Sequence, residues 1–565
     1  MVRPLSSSYV SGTGPEPLLG LTVGACFDET AARYPDNDAL IVAHQDVRWS
    51  YSRLKREVDR YAAGLIALGL EPGERIGIWA PNCREWVVTQ FATAKAGLVL
   101  VNINPAYRLT ELEYALDKVG CSALITAPAL KTSNYIEMLR ELLPESRHAA
   151  PGKLEAGKLP ELNWLIQLGE EAEDGFLAFE DIPAKALDIH RTRLTELETE
   201  LQFDDPINIQ FTSGTTGAPK AATLTHHNIV NNAWFTAAQM KLGPDDRMCI
   251  PVPMYHCFGM VLGTLCSVSH GAAIVFSSAG YDAEAVLETV SREHCTALHG
   301  VPTMFIAELE RPDFAEFDLT SLRTGIMAGA PCPVELMKRV MEEMNLDQIT
   351  IAYGMTETGP VSFQTSVDDP VERRVSTVGR VLPHIEIKIV DENRRVVPVG
   401  TPGELLTRGY CVMPGYWNDP ERTRKAIDEA RWIASGDIAT LDAEGYCQIV
   451  GRLKDMLIRG GENIFPREIE EFLYTNPKIE QVEVIGVPDD RYGEEVCAWI
   501  RLRPGETADA DEIRDFCKDR IAHFKIPRYI RFVEEFPMTV TGKVQKYVMR
   551  KQMADELKET GSKAS

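Results

Sequence analysis

The stretch FTSGTTGAPKAATLTHHN spans residues 211–228 and sets hydroxyls, glycines, a proline and a lysine between a strand-like apolar run and a helix-like one. Thr212 opens the loop, and Ser213, Thr215 and Thr216 supply hydroxyl donors. Gly214 and Gly217 let consecutive backbone N–H groups turn toward one point, an anion-binding nest, and Lys220 adds a positive charge at the far end. That combination suits a polyphosphate. It is not the G-x-x-x-x-G-K-[ST] loop, because Gly217 follows Gly214 by only three positions and no hydroxyl follows Lys220. Ser/Thr/Gly loops also join strands to helices without holding anything, so the rest of the chain decides the reading.

At 565 residues the chain exceeds one ordinary core, which predicts two or more domains. Apolar residues at 44% and charged residues at 25% are the composition of a globular protein. A formal net charge of -24 repels nucleic-acid backbones and anionic lipid, so neither is expected as a partner. Phosphate must then be held by local geometry against the global field. The 12 cysteines contain no C-x-x-C pair, which disfavours a zinc or redox motif and fits free thiols in a reducing cytoplasm. The start, MVRPLSSSYVSGTG, lacks an apolar secretory core, and the closing GSKAS resembles no anchor. Residues 259–276 are the longest weakly polar run, but His270-Gly271 reads as a break between a buried helix and a strand, so no membrane span is expected.

Strand-like and helix-like signals alternate through the first two thirds. RIGIWAP (75–81), LVLVNI (98–103), RMCIPVP (247–253), GAAIVF (271–276), TALHGVP (296–302), LRTGIMAG (322–329) and QITIAYG (348–354) read as buried strands. Leu54, Val58, Tyr61, Leu65 and Leu68 form one helical face, and Asn82 is placed to cap the helix after RIGIWAP. This rhythm predicts parallel sheets covered by helices. Residues 140–200 read as charged, irregular surface. Period-two alternation over 384–409 predicts a small antiparallel unit, and a further unit of foldable size begins near 451, with Pro466 opening a helix that carries Ile469, Phe472 and Leu473.

With these in place the chain resembles the adenylate-forming superfamily of acyl-CoA synthetases, luciferases and peptide-synthetase adenylation domains. TSGTTGAPK is followed, in the superfamily's order, by PMYHCFG (253–259), AGAP (328–331), YGMTE (353–357), ASGDIA (434–439), GRLKDMLIRGGENIFPREIE (451–470) and TGK (541–543). The run LTVGACFDETAARYPDNDALI looks closest to medium-chain fatty acyl-CoA ligases. The resemblance implies an α/β fold. A large N-terminal domain (1–453) would hold two parallel-sheet subdomains and a small β-barrel-like one, followed by a small, mobile α+β C-terminal domain (454–565).

It also implies a two-step reaction: a fatty acid attacks ATP to give acyl-AMP and pyrophosphate, then coenzyme A displaces AMP. The first step brings two anions together. Unit charges about 4 Å apart repel by roughly 4 kcal/mol at an effective dielectric near 20, so the site must supply positive charge. By resemblance the loop from Thr212 to Lys220 holds the β- and γ-phosphates, Glu357 holds Mg2+, and Thr356 meets the α-phosphate. Ala330, Pro331, Tyr353 and Gly354 border the adenine, and Asp437 with Arg452 takes the ribose. Lys543 reaches the α-phosphate and the attacking carboxylate, with His256 as a gate beside them. Lys454 is the implied pivot of a domain rotation that withdraws Lys543 and brings Arg459, Gly460, Gly461 and Glu462 to coenzyme A.

MYHCFGM carries no acid to pair with an α-ammonium, which argues against amino-acid substrates, and only 22 residues follow Lys543, too few for a fused carrier domain. Trp234, Phe235, His299, Met304, Gly325 and Gly329 are the expected acyl pocket, although core packing explains the same aromatics. A medium-chain acid is the first choice and a short branched or aryl acid the next. A free carrier protein remains open as acceptor, and a homodimer as assembly. A γ-phosphate-cleaving kinase or ATPase is disfavoured by the loop spacing, a luciferase-like oxygenase has nothing in its favour, and an inactive regulator is disfavoured by the presence of Lys543 and Glu357.

Overall fold

The computed structural model describes residues 4–212, 219–460, 462–489, 491–539 and 543–562. Ser213, Gly214, Thr215, Thr216 and Gly217 of the glycine-rich loop, and Gly461 of the RGGEN loop, lie outside the described residues.

Two large sheets dominate. The first runs Leu177–Ala178, Trp164–Gln167, Cys121–Thr126, Arg75–Trp79, Val99–Asn102, Pro206–Thr212, Lys220–Thr225, Gly415–Tyr416, parallel except for Lys220–Thr225, which is antiparallel to both of its neighbours. The second runs Arg380–Val381, Val361–Gln364, Gln348–Gly354, Thr324–Met327, Ala297–Gly300, Arg247–Cys249, Ala273–Phe276, Asp38–Val42, Val47–Ser50, with its middle six strands parallel. Helices cover both faces, which is why the central strands are continuous apolar runs instead of alternating ones. The strands Tyr9–Ser11, Ile385–Val390, Gly403–Gly409, Ile433–Leu441 and Cys447–Arg452 form a five-stranded antiparallel sheet. Beyond it, Leu457–Arg459, Glu462–Ile464, Ile479–Asp489, Gly493–Leu502 and Tyr529–Phe532 build a C-terminal sheet with its own apolar clusters on Leu457, Ile469 and Val484 and on Val487, Trp499 and Met549.

Local chemistry sets the element ends. Ser50 accepts from Arg53 N and Thr22 from Ala25 N, opening the helices Tyr51–Ala67 and Val23–Arg33. Strand Lys220–Thr225 becomes helix His226–Gln239 through a reciprocal cap between Thr225 and Asn228. Asn231 and Asn232, unusual inside a helix, each bind a backbone outside it, Leu19 and Val361 respectively.

Two expectations are corrected. Residues 164–167 are a strand of the first sheet with Leu165 and Ile166 buried, and Asp188–Glu200 is a helix, so 140–200 is not simply irregular surface. A four-residue strand flanked by charge is too short to show a period. Asn82 is not the cap of helix Arg84–Ala96, whose N-cap is Cys83. Its side chain instead accepts from Met254 N at 2.8 Å and donates to Val252 O at 3.0 Å, tying the end of Arg75–Trp79 to the segment leading to His256. Gly271, in the left-handed conformation, does end the helix Cys266–His270, and among the described residues no helix is long and apolar enough to cross a membrane.

Lys95 is buried among three helices, with Nζ 2.6 Å from Asp28 Oδ2 and bonded also to Asp59, while Lys55 bridges the same two carboxylates. Removing one partner of such a group strands charge in the interior. Lys95→Met is expected to lower unfolding free energy by about 3 kcal/mol, read by urea denaturation; a loss below about 1 kcal/mol would show the cluster to be solvated. Burial also pushes His226 down to about 3 and His299 down to about 4. Both stay neutral in the fold but protonate in the unfolded chain below about pH 6.5. Their contribution is therefore complete above about 6.5 and lost as pH falls toward about 4, at up to about 1.4 kcal/mol per proton per pH unit. The urea midpoint should drop over that window, and less steeply in His226→Gln; an unchanged slope in the variant would refute the assignment.

Candidate active site

Four site segments leave the carboxyl ends of parallel strands, the place where open α/β sheets gather ligands. Thr212 ends Pro206–Thr212, Gly329 and Ala330 follow Thr324–Met327, Gly354 ends Gln348–Gly354, and His256 lies beyond Arg247–Cys249. Thr356 and Glu357 sit in the short turn Thr356–Thr358, fixed by Met355 N donating to Thr358 Oγ1 at 3.2 Å. Backbone packs tightly here: a Cβ on Gly354 would lie 2.0 Å from the carbonyl oxygen of Pro360.

At one end stands Glu357, buried, whose Oε1 accepts from the Thr212 hydroxyl at 3.1 Å and from Tyr416 at 3.0 Å. Thr212 and Lys220 face each other across the antiparallel pair, so both ends of the glycine-rich loop border this carboxylate. Lys220 Nζ lies 3.5 Å from the Tyr416 hydroxyl. Tyr416 arrives from the distant strand Gly415–Tyr416 by pairing with Ala222. Burial and the Glu357 carboxylate raise the Tyr416 pKa, keeping it a donor. No group of three His, Cys, Asp or Glu suited to a metal occurs among the described residues. One buried carboxylate between the two ends of the glycine-rich loop nevertheless fits Mg2+, which accepts few protein ligands and completes its shell with phosphate and water.

At the other end Tyr353 donates to Asp437 Oδ2 at 2.5 Å, and Arg452 Nε lies 3.4 Å from Asp437 Oδ1. Asp437 and Arg452 are register partners on adjacent antiparallel strands, which explains a pairing between residues far apart in sequence. Burial raises the Asp437 pKa, with Arg452 and Tyr353 opposing. Ala330 and Pro331 lie on the turn after Gly329 and are at least partly open to solvent.

Lys543 comes from the C-terminal sheet's side into the same place. Its Cε would lie 3.7 Å from a Cβ on Gly329, where φ is +87°. Burial, and then the Arg452 charge, lower its pKa, while Cys257, Asp437 and Glu357 pull the other way. Cys257 Sγ is 3.6 Å from Thr356 Oγ1, so Lys543, Thr356 and Cys257 share one small volume. His256 Nδ1 accepts from Phe258 N at 3.1 Å, which leaves the proton on Nε2. Burial, assisted by Lys543, pushes the ring down to about 3, so His256 is a neutral N–H donor at working pH.

Other predicted residues are not gathered here. Trp234 donates to Glu16 at 2.6 Å and packs on His270, whereas Phe235 packs on His384 and Tyr410. Consecutive helical residues point about 100° apart, so the pair cannot line one wall. His299 is a core residue, bonded to Leu262 O and Ile326 N, and a Cβ on Gly325 would strike Leu298 O at 1.9 Å, so that glycine serves close strand approach. Met304 is buried on the helix Pro302–Leu309; of the six, Gly329 is the one recorded against Lys543. Lys454 is exposed in the turn between Cys447–Arg452 and Leu457–Arg459. Arg459 is held bidentately by Glu495 at 2.7 and 2.9 Å, Gly460 N donates to Tyr492 O, and Glu462 is exposed. The bonds of Arg459 and Gly460 stay within the C-terminal unit. Tyr416 and Cys257 escaped the sequence reading; a two-residue strand and a lone thiol carry no local signal.

Known proteins resemble this chain over nearly its full length. The AMP-binding enzyme family matches residues 27–417, and the AMP-binding enzyme C-terminal domain matches 468–543. A medium-chain acyl-CoA ligase of Danio rerio, ACSF2, mitochondrial, is 48% identical over 561 residues, covering 98% of this chain and 92% of its own. The anthranilate CoA ligase AuaEII in complex with anthranoyl-AMP superposes with a TM-score of 0.85 at 28% identity, over 96% of this chain and 99% of that one. ATP-bound MatB from Rhodopseudomonas palustris gives 0.79 at 26% identity, over 95% and 99%. With two family matches in chain order and a relative aligned over nearly the full length, this chain belongs to the AMP-binding enzyme family, as an acyl-CoA synthetase.

Proposed function

We propose that this chain activates a medium-chain fatty acid with ATP and passes the acyl group to coenzyme A. The observation that carries the reading is Lys543 standing beside Thr356 and Gly329, between the Glu357 end and the Asp437 end of one site. The medium chain length is supported by the zebrafish relative's substrate class.

In the first step a carboxylate oxygen of the acid forms a bond to the α-phosphorus as the bond to pyrophosphate breaks. Lys543 neutralises charge moving between carboxylate and phosphate, with Thr356 donating to the α-phosphate and His256 donating Nε2–H to the carboxylate side. A bound nucleotide's negative charge favours the Lys543 ammonium, against the burial that disfavours it. Thr212 and Lys220 hold the outgoing pyrophosphate, and Asp437 and Arg452 the ribose. Mg2+, when bound at Glu357, supplies charge neutralisation across the phosphates. In the second step the thiol sulfur bonds to the acyl carbon, AMP leaves, and the thiol proton passes to solvent or the leaving phosphate. We place the domain boundary and pivot at Lys454, which is exposed in its turn, and the coenzyme-facing loop at Arg459–Glu462. Twelve free, buried cysteines fit a reducing compartment such as the cytoplasm.

A panel of carboxylic acids with ATP, Mg2+ and coenzyme A should release AMP and pyrophosphate, with kcat/KM rising over medium chain lengths by roughly fourfold per methylene, about 0.8 kcal/mol each. Release of ADP, or no acid dependence, would overturn the assignment. Lys543→Ala should cut adenylate formation by about 10²–10³ while acyl-CoA formation from supplied acyl-AMP stays within about threefold. Equal losses in both half-reactions would remove Lys543 from the role given to it.

A further inference from the structure

Away from Lys543, the helix Pro466–Leu473 meets the larger domain at two points one turn apart. Arg467 Nη1 donates to the carbonyl of Ile449 at 3.0 Å, and its Nε lies 3.5 Å from Glu471 Oε1. The Glu471 carboxylate in turn lies against the backbone N–H of Val334. Val334 is the first residue of the helix Val334–Glu343, whose N-cap is Pro333 and which has no side-chain cap of its own. A helix start leaves its first N–H groups unsatisfied, and a carboxylate is well suited to them by hydrogen bonding and by the helix dipole. The cap missing from one domain is thus supplied by the other, directly beyond Ala330 and Pro331. Phe465, next to Arg467, packs on Gly451, where a Cβ would lie 3.1 Å from its ring.

On the opposite rim Glu310, at the end of Pro302–Leu309, faces Glu480 of the C-terminal sheet; burial and a hydrogen bond shared with Glu480 raise it to about 7, while Arg501, which pairs with Glu480, and Arg503 pull the other way.

We propose that Arg467 and Glu471 are positioning residues that latch the C-terminal domain in the orientation placing Lys543 beside Thr356. The proposal rests on the two-step reading above, in which that domain turns away for thioester formation and the latch opens. Neither residue touches a reactant. Its signature is therefore a split between half-reactions, which simple loss of stability does not produce.

The test measures pyrophosphate release from acid plus ATP, and separately acyl-CoA formation from supplied acyl-AMP plus coenzyme A, in Glu471→Ala, Glu471→Gln, Arg467→Ala and the double variant. The alanine variants should lose about tenfold in the first assay and stay within about twofold in the second, which also shows that they are folded. Glu471→Gln should recover part of the loss, because its amide oxygen keeps an acceptor facing Val334 N–H. The double variant should lose little more than either single one, since the residues act as a unit. Unchanged first-step rates, or equal losses in both assays, would overturn the latch while leaving the activity standing. A wild-type protein that releases no AMP with any acid would overturn the activity itself, and the latch with it.

Discussion

Two anions have to meet, and everything in this structure is organised around that. A carboxylate approaching the innermost phosphate of a nucleotide is repelled by several kcal/mol at the distances where bonds begin to form. The surrounding molecule makes matters worse, with a net charge of -24. Relief comes from local cations placed at the mouths of two parallel sheets. Lys220 stands where one sheet turns back on itself, Arg452 on a register pair of the antiparallel sheet, and Lys543 on an element from outside all three.

That division of labour has a structural logic. The fixed end of the site, Glu357 with Thr212 and Tyr416, is built from strands of both large sheets and cannot move without breaking them. Tyr353 and Asp437 are equally rigid, joined side chain to side chain at 2.5 Å. Lys543 alone sits on a unit with separate apolar cores. On the two-step reaction proposed above, a group whose charge is needed in one step and whose bulk obstructs the next is best carried by a body that can leave. Burial meanwhile keeps His256 neutral, so the pocket gains a hydrogen-bond donor without another charge to desolvate.

Much of this was legible without coordinates. Buried strands such as Ala273–Phe276 announce themselves because a parallel strand covered on both faces reads as a continuous apolar run. The helix Tyr51–Ala67 is equally plain from the four-and-three spacing of Leu54, Val58, Tyr61 and Leu65. Trp164–Gln167 was not, because four residues do not establish a period, and Asn82 looked like a cap when its amide was needed 170 residues away at Val252.

By itself the sequence determined the fold class, the order of the motifs and the kinds of groups the site contains, since those depend on local periodicity and on residue types at set spacings. Only the tertiary structure decided which of them meet. Trp234 and Phe235, adjacent in the chain, part to opposite neighbours because a helix turns about 100° per residue, while Tyr416 and Glu357 are drawn together by strand pairing that no linear spacing encodes. Glu471 beneath the uncapped start of Val334–Glu343 belongs to the same class: an orphaned N–H is visible only once the helix exists, and its partner only once two domains have docked.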